Sequence, residues 1–183
     1  MTENANTLGF EEPAFEGQLF EGQEVEVFIG LGSNINAPKK QLDQAIKSLS
    51  QLPSCTLTAH SSYYSSKPVG PQDQPDFVNA AALIKTTLSP IALLKHLQAI
   101  ELNQGRVKKR HWGERSIDLD ILLYGDSSID SEDLTIPHKE LANRDFVLRP
   151  LLELDENLEL PDGTSLRSLL AICPDNQLQR IES

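Results

Sequence analysis

Two aspartates separated by a single residue lie inside the run Ser116-Ile117-Asp118-Leu119-Asp120-Ile121-Leu122-Leu123. Side chains of an extended chain alternate between two faces. That alternation sends Ile117, Leu119, Ile121 and Leu123 toward a core and both carboxylates to the opposite side, their Cβ atoms ~7 Å apart, two strand rises. Carboxylates so spaced can converge on a hard cation. Magnesium takes oxygen ligands and is commonly held by one or two carboxylates together with substrate phosphates. A bare Asp-x-Asp also suits a solvated strand face. Two features weigh against that reading: aspartate is a poor strand former, and the segment just before the pair is strongly basic.

That segment, Arg106-Val107-Lys108-Lys109-Arg110-His111-Trp112-Gly113-Glu114-Arg115, carries five fixed positive charges and one negative. A triphosphate with magnesium needs cationic donors and carboxylate-held metal together, and arginine supplies forked donors for phosphate oxygens. Gly105 and Gly113 bracket the stretch and suit a closing loop. Two other readings of the loop stay open: a solvated basic segment, and an RNA contact with Trp112 stacking on a base.

The elements that must position these groups follow from periodicity. Val25 to Leu31 reads as a first strand running into the Gly32-Ser33-Asn34 turn. Pro38 opens a helix, with Asn36 as its candidate cap, and Leu42, Ala45, Ile46 and Leu49 recur at helical spacing. Residues 55–64 read as a second strand. Residues 65–75, with three prolines and Gly70, form a long loop. Phe77 to Thr86 is a strand. Ser89-Pro90 starts a second helix with Leu93, Leu94, Leu97 and Ile100 on its apolar face and Gln98 and Glu101 on the other; it ends near Gly105. Ser116 to Tyr124 is the clearest strand, Leu134 to Ile136 a short one, and 138–154 and 164–172 contain helices around the Pro161-Asp162-Gly163 turn. The order predicts an α+β fold: a ferredoxin-like split βαβ core with a mainly antiparallel sheet, both helices on one face, the other face open beneath long loops, and a helical C-terminal part.

Composition bounds the rest. The 183 residues carry a formal net charge of −11, which disfavours non-specific binding to nucleic acid or anionic membrane. No apolar stretch approaches a membrane span, and no basic residue precedes Lys39 to form a signal-peptide start. Cys55 and Cys173 make no metal spacing and read as reduced thiols, so the expected compartment is the cytoplasm. Residues 1–23, with five glutamates and no sustained period, read as a flexible acidic extension; 24–183 form a single domain.

The chain resembles the 6-hydroxymethyl-7,8-dihydropterin pyrophosphokinase family of folate biosynthesis. The resemblance is carried by Gly30 to Asn34, Gly70 to Ala81, Glu101 to Arg106, Trp112 to Asp120, Pro137-His138 and Asn143 to Phe146. It implies transfer of pyrophosphate from ATP to the pterin hydroxymethyl oxygen, releasing AMP. It implies two magnesium ions on Asp118 and Asp120, with Arg106 and Arg115 as catalytic arginines. For ATP it implies contacts from Gln98, Glu101, Arg106, Arg115, Thr135, His138 and Arg144. For the pterin it implies Asn79 on the amide edge, Phe77 and Phe146 as a sandwich, backbone groups of Ser66 and Val69, Trp112 closing over the site, and Asp118 beside it. Without the resemblance, Phe77 and Phe146 read as core packing and His138 as a surface or capping histidine. The loop is one residue shorter than a familiar family version; His111 replaces an arginine there and Lys139 a tyrosine. The expected partners are two small molecules, with no nucleic acid, no membrane and a monomeric chain. A catalytically silent nucleotide-binding module and an RNA-binding module through 105–115 stand as the alternatives.

Overall fold

A computed structural model describes residues 22–107 and 110–182. Of the expected acidic extension 1–23, residues 1–21 lie outside the described residues, as do Lys108 and Lys109 of the basic loop. Eight strands and four α-helices follow in the order β1 (Val25–Ser33), α1 (Pro38–Leu49), β2 (Cys55–His60), β3 (Tyr63–Ser66), β4 (Phe77–Thr86), α2 (Pro90–Asn103), β5 (Asp118–Tyr124), β6 (Ile129–Asp130), β7 (Thr135–Ile136), α3 (Asp145–Leu154), α4 (Leu166–Ile172) and β8 (Gln179–Ile181). The main sheet runs β5-β1-β4-β3-β8, with β2 also on β4, and every pairing is antiparallel. The mainly antiparallel α+β core matches the expectation.

One face of the sheet packs on α1 and α2. Val27, Ile29 and Leu31 of β1, Leu42, Ala45 and Leu49 of α1, and Leu93, Leu97 and Ile100 of α2 form one apolar cluster. The other face is less open than expected. Phe28, Ala81, Leu122 and Leu123 pack there against Leu148 and Leu151 of α3 and Leu166 of α4. An apolar helical tail has to bury its stripe, and this face of the sheet receives it.

Local departures have local causes. The expected cap of α1 is not Asn36: Ala37 occupies the cap position with φ 60°, and no side chain caps the helix. Ser89 does cap α2, its hydroxyl accepting from Ala92 N at 3.2 Å. The expected single strand over 55–64 is two strands broken at Ser61-Ser62, where the Ser61 hydroxyl accepts from Ala81 N at 2.9 Å. Ser65 and Ser66 belong to β3 instead of the following loop. The 138–154 region holds a 3₁₀ turn at Leu141–Asn143 before α3. The short strands β6 and β8 lack any apolar alternation that would mark them in advance.

β5 begins at Asp118 instead of Ser116 and contains a bulge. Its register with β1 pairs Ile29 with Ile121 but Phe28 with Leu123, leaving Leu122 extra. Strict alternation therefore fails beyond Ile121. Ile117, Leu119 and Ile121 enter the α1/α2 cluster as expected, whereas Leu123 joins Leu122 against α3 and α4. A bulge inserts one residue on one strand and bends it, so the leucine assigned to one face lands on the other.

Candidate active site

Residues directly opposite across antiparallel strands share a face. Tyr64, Asn79, Gly32 and Asp118 form one such row across β3, β4, β1 and β5. Ala81, Gly30 and Asp120 form the next. Two glycines on β1 thus separate an amide and two carboxylates, leaving a floor without side chains between them. A Cβ at Gly30 would press on Leu122 Cδ1 at 3.2 Å, so the leucine would have to give by a few tenths of an ångström.

A cleft opens over this floor. It is lined by Ser66, Val69, Phe77, Asn79, Trp112, Arg115, Asp118, Asp120, His138, Arg144 and Phe146 among others. Eleven of the residues singled out from the sequence therefore meet in one place. Phe77 and Phe146, which core packing would have hidden, are both half-buried on its wall. A guanidinium covers each ring: Arg115 Cζ lies 5.9 Å from the Phe77 centroid and Arg144 Cζ 5.7 Å from that of Phe146. Asn79 Nδ2 donates to Ser66 Oγ at 2.9 Å, so its amide is aligned by β3.

The acid pair is asymmetric. Arg106 Nη1 meets Asp118 Oδ1 at 2.7 Å and Arg115 Nη1 meets Asp118 Oδ2 at 2.5 Å, so both oxygens carry a guanidinium. Asp120 has no guanidinium bonded to it among the described residues and lies 3.9 Å from His138 Nε2. Burial, the neighbouring Asp118 carboxylate and Glu101 together push its carboxyl up to about 7, against the pull of Arg106 and Arg115. His138 Nδ1 accepts from Glu140 N at 3.2 Å, which puts the ring proton on Nε2, toward Asp120. Burial and then Arg144 lower the His138 pKa, favouring the neutral ring.

Glu101 does not sit on an open helix face as α2's periodicity suggested. It is buried, pairs with Arg106, and its Oε1 accepts from Leu119 N at 2.7 Å. It thus grips the backbone between the two aspartates while anchoring the arginine that reaches Asp118. Burial raises its pKa against the pull of those two partners. Gln98 is exposed and Thr135 half-buried on β7; neither lines the cleft, nor do Glu101 and Arg106.

Two amides without a sequence-level role hold the loops together. Buried Asn34 donates from Nδ2 to Gln74 Oε1 and to Pro75 O, both at 3.0 Å, and accepts from Arg115 N at 3.0 Å. Buried Gln74 donates to Pro71 O at 2.9 Å and to Trp112 O at 2.8 Å. The end of β1, the 67–76 loop and the basic loop are joined through these two side chains. An amide offers donors and an acceptor at once, and its presence in a strand-terminating turn was the available signal. Arg110 adds a surface tie, donating to both oxygens of Asp73 at 3.0 and 3.2 Å and to Glu114 Oε1 at 3.0 Å. Trp112 is 42% exposed, has φ 52° and stacks on His111 with 4.8 Å between centroids. It passes so close to Gly70 that a Cβ there would meet its Cβ at 3.1 Å, and Gly70 itself has φ 97°.

Residues 28–156 match the model of the 7,8-dihydro-6-hydroxymethylpterin-pyrophosphokinase family. The chain belongs to this family. It is 50% identical over 157 residues to the 2-amino-4-hydroxy-6-hydroxymethyldihydropteridine pyrophosphokinase of Haemophilus influenzae, covering 86% of this chain and 98% of that one. It is 47% identical over 155 residues to the protein of the same name from Pseudomonas aeruginosa, covering 85% and 96%. Its fold also matches the wild-type Plasmodium falciparum HPPK-DHPS structure with pterin and p-hydroxybenzoate, at TM-score 0.65 and 15% identity. That match covers 82% of this chain and 42% of the longer Plasmodium chain.

Among the described residues no group of three or more His, Cys, Asp or Glu side chains forms a metal cage. The donor set nonetheless suits a hard cation shared with phosphate. Two carboxylates share one face, and Asp120, whose carboxyl is raised, has no guanidinium bonded to it among the described residues; magnesium characteristically takes one or two protein carboxylates and leaves its other positions to water and phosphate oxygens. Cys55 and Cys173 are free thiols. No helix among the described residues is long and apolar enough to cross a membrane.

Proposed function

We propose that this cleft carries out the family reaction: ATP and 6-hydroxymethyl-7,8-dihydropterin are converted to AMP and the pterin diphosphate, in folate synthesis. The observation that supports it best is the row Asn79–Gly32–Asp118, which has on one floor the amide we assign to the pterin and the acid we assign to the phosphate side. The hydroxymethyl oxygen attacks the β-phosphorus, the bond to the oxygen of the departing AMP breaks, and the hydroxyl proton is released.

Asn79 would read the pterin amide edge, Phe77 and Phe146 would hold the ring between them, and backbone groups of Ser66 and Val69 would meet the remaining edge. Trp112 would close the loop over the ring. Asp118 and Asp120 would hold magnesium, two ions in our reading. When bound, magnesium supplies charge neutralisation and alignment of the phosphate oxygens. Arg106 and Arg115, which pair with Asp118, would meet the charge that develops on the leaving oxygen. Gln98, Glu101, Thr135, His138 and Arg144 would serve the ATP side; Glu101, buried behind the strand, serves it through Arg106 and the Leu119 amide. We read residues 24–183 as one domain acting as a cytoplasmic monomer, without nucleic-acid or membrane partners.

Purified protein, ATP, magnesium and the hydroxymethyl dihydropterin should yield AMP, with no product when EDTA is present. ADP as the nucleotide product, or no turnover, would overturn the reading. Salt-sensitive RNA binding without magnesium would instead favour an RNA-binding role for 105–115.

A further inference from the structure

Asp145 and Asn176 lie outside the cleft, yet they join its two walls. Asp145 is the first residue of α3 and is 7% exposed. Its flanking residues, Arg144 and Phe146, both line the cleft. Its two carboxylate oxygens are both used by one residue of the C-terminal segment: Oδ2 accepts from Asn176 N at 2.9 Å and Oδ1 from Asn176 Nδ2 at 2.8 Å. The carbonyl of the same asparagine accepts from Lys67 N at 3.0 Å, on the opposite wall. Lys67 follows Ser66, whose hydroxyl aligns Asn79, and precedes Val69 by two positions. The chain then turns at Gln177, with φ 56°, and β8 pairs Gln179 with Ser65 of β3.

We infer that Asp145 and Asn176 form a positioning clamp that fixes the Phe146 wall of the pterin pocket against the Ser66–Val69 wall. The clamp rests on the proposed pterin site but touches no substrate itself. Three features support it over an incidental contact. The carboxylate is buried, so its grip is not dissipated by water. Both oxygens go to a single residue, which fixes orientation as well as distance. The far end of α3 is independently pinned: Glu153 accepts from Ser62 N at 2.9 Å, Ser62 Oγ at 2.7 Å and Tyr64 Oη at 2.7 Å. A helix held at both ends cannot slide, and Phe146 sits in its first turn. A stacking wall displaced by an ångström loses much of its binding geometry.

The test exchanges donor and acceptor. D145A removes both acceptors for Asn176 N and Nδ2, N176D alone sets carboxylate against carboxylate, and D145N/N176D restores a complementary pair with the roles reversed. Dissociation constants for the hydroxymethyl dihydropterin and for ATP are measured by titration, beside steady-state KM and kcat. Each single variant should weaken pterin binding ~10-fold while moving ATP binding less than about 2-fold, and the double variant should recover to within about 3-fold of the parent. Unchanged pterin binding, parallel losses for both ligands, or no recovery in the exchange would overturn the clamp. Because binding is read separately from turnover, a parent protein that binds pterin but makes no AMP would refute the proposed reaction and leave the clamp to be judged on its titrations.

Discussion

Replacing Asp120 by asparagine should stabilise the ligand-free protein while removing its activity. In the native chain the Asp120 carboxyl rises from 3.8 to about 7, through burial and then through Asp118 and Glu101. At ~1.4 kcal/mol per tenfold, that rise corresponds to ~4 kcal/mol in a dry site. The Asp120 side chain keeps 41% of its exposure; solvent screening then leaves about 1–2 kcal/mol. The unfolded chain ionises this group near 3.8 and the native chain near 7, so between those values the native state holds more protons. Stability therefore falls as pH rises across that window, and the penalty is complete above about 7. Asparagine does not ionise and escapes it. Thermal and urea unfolding without ligand should show D120N more stable at about pH 8, with the gain shrinking toward zero at about pH 4. AMP formation should fall at least ~10²-fold, the scale of a lost electrostatic stabiliser. A destabilised D120N at pH 8 would show that the carboxylate is not under strain from its neighbours; near-normal turnover would remove it from the phosphate site.

Arg106→Ala should leave Glu101 buried without its counter-charge, since the two side chains are only 18% and 10% exposed; we expect a loss of ~3 kcal/mol in urea unfolding and at least ~10²-fold in turnover. Asn34→Ala removes the bonds to Gln74, Pro75 and Arg115; ~2 kcal/mol should be lost, and amide exchange should accelerate in the 67–76 loop and around Trp112. Burial pushes Glu153 upward, but bonds from Ser62 and Tyr64 outweigh it and hold its pKa below the usual 4.5. The resulting stability is present above 4.5 and is lost as pH falls through the native value, so Glu153→Gln should cost ~1 kcal/mol at neutral pH and progressively less as the pH is lowered below 4.5.

The long, strongly periodic elements were legible in the sequence because their spacing states which face is apolar. α1, α2, β1, β4 and most of β5 fall where periodicity puts them. The acid pair on one side of β5 was legible for the same reason. What escaped depends on partners distant in sequence. The β5 bulge is set by the pairing of Phe28 with Leu123, which no local pattern encodes. Glu101 looked like a polar-face residue because helical spacing cannot see Leu119 N. Asn34 and Gln74 looked like turn residues because their value lies in bridging three loops that meet only after folding. β8 is three residues with little apolar content, and only its pairing with β3 makes it a strand.

The extra residue in β5 gives one strand two environments. Asp118 and Asp120 lie at the wet end, and beyond Leu122 the strand is turned so that consecutive leucines press on α3 and α4. Leu122 also offers its carbonyl to His138 N at 3.0 Å, so the junction itself helps place the imidazole beside the acids. Reactive and packed positions thus sit side by side and share neighbours: Gly30 pairs with Asp120 and backs onto Leu122, and His138 lies near Asp120 while donating to Leu122 O. Repacking the leucines would therefore be felt at the acids, through His138 and Gly30. The bulge makes this strand a seam that ties the tuning of the acids to the packing beneath them.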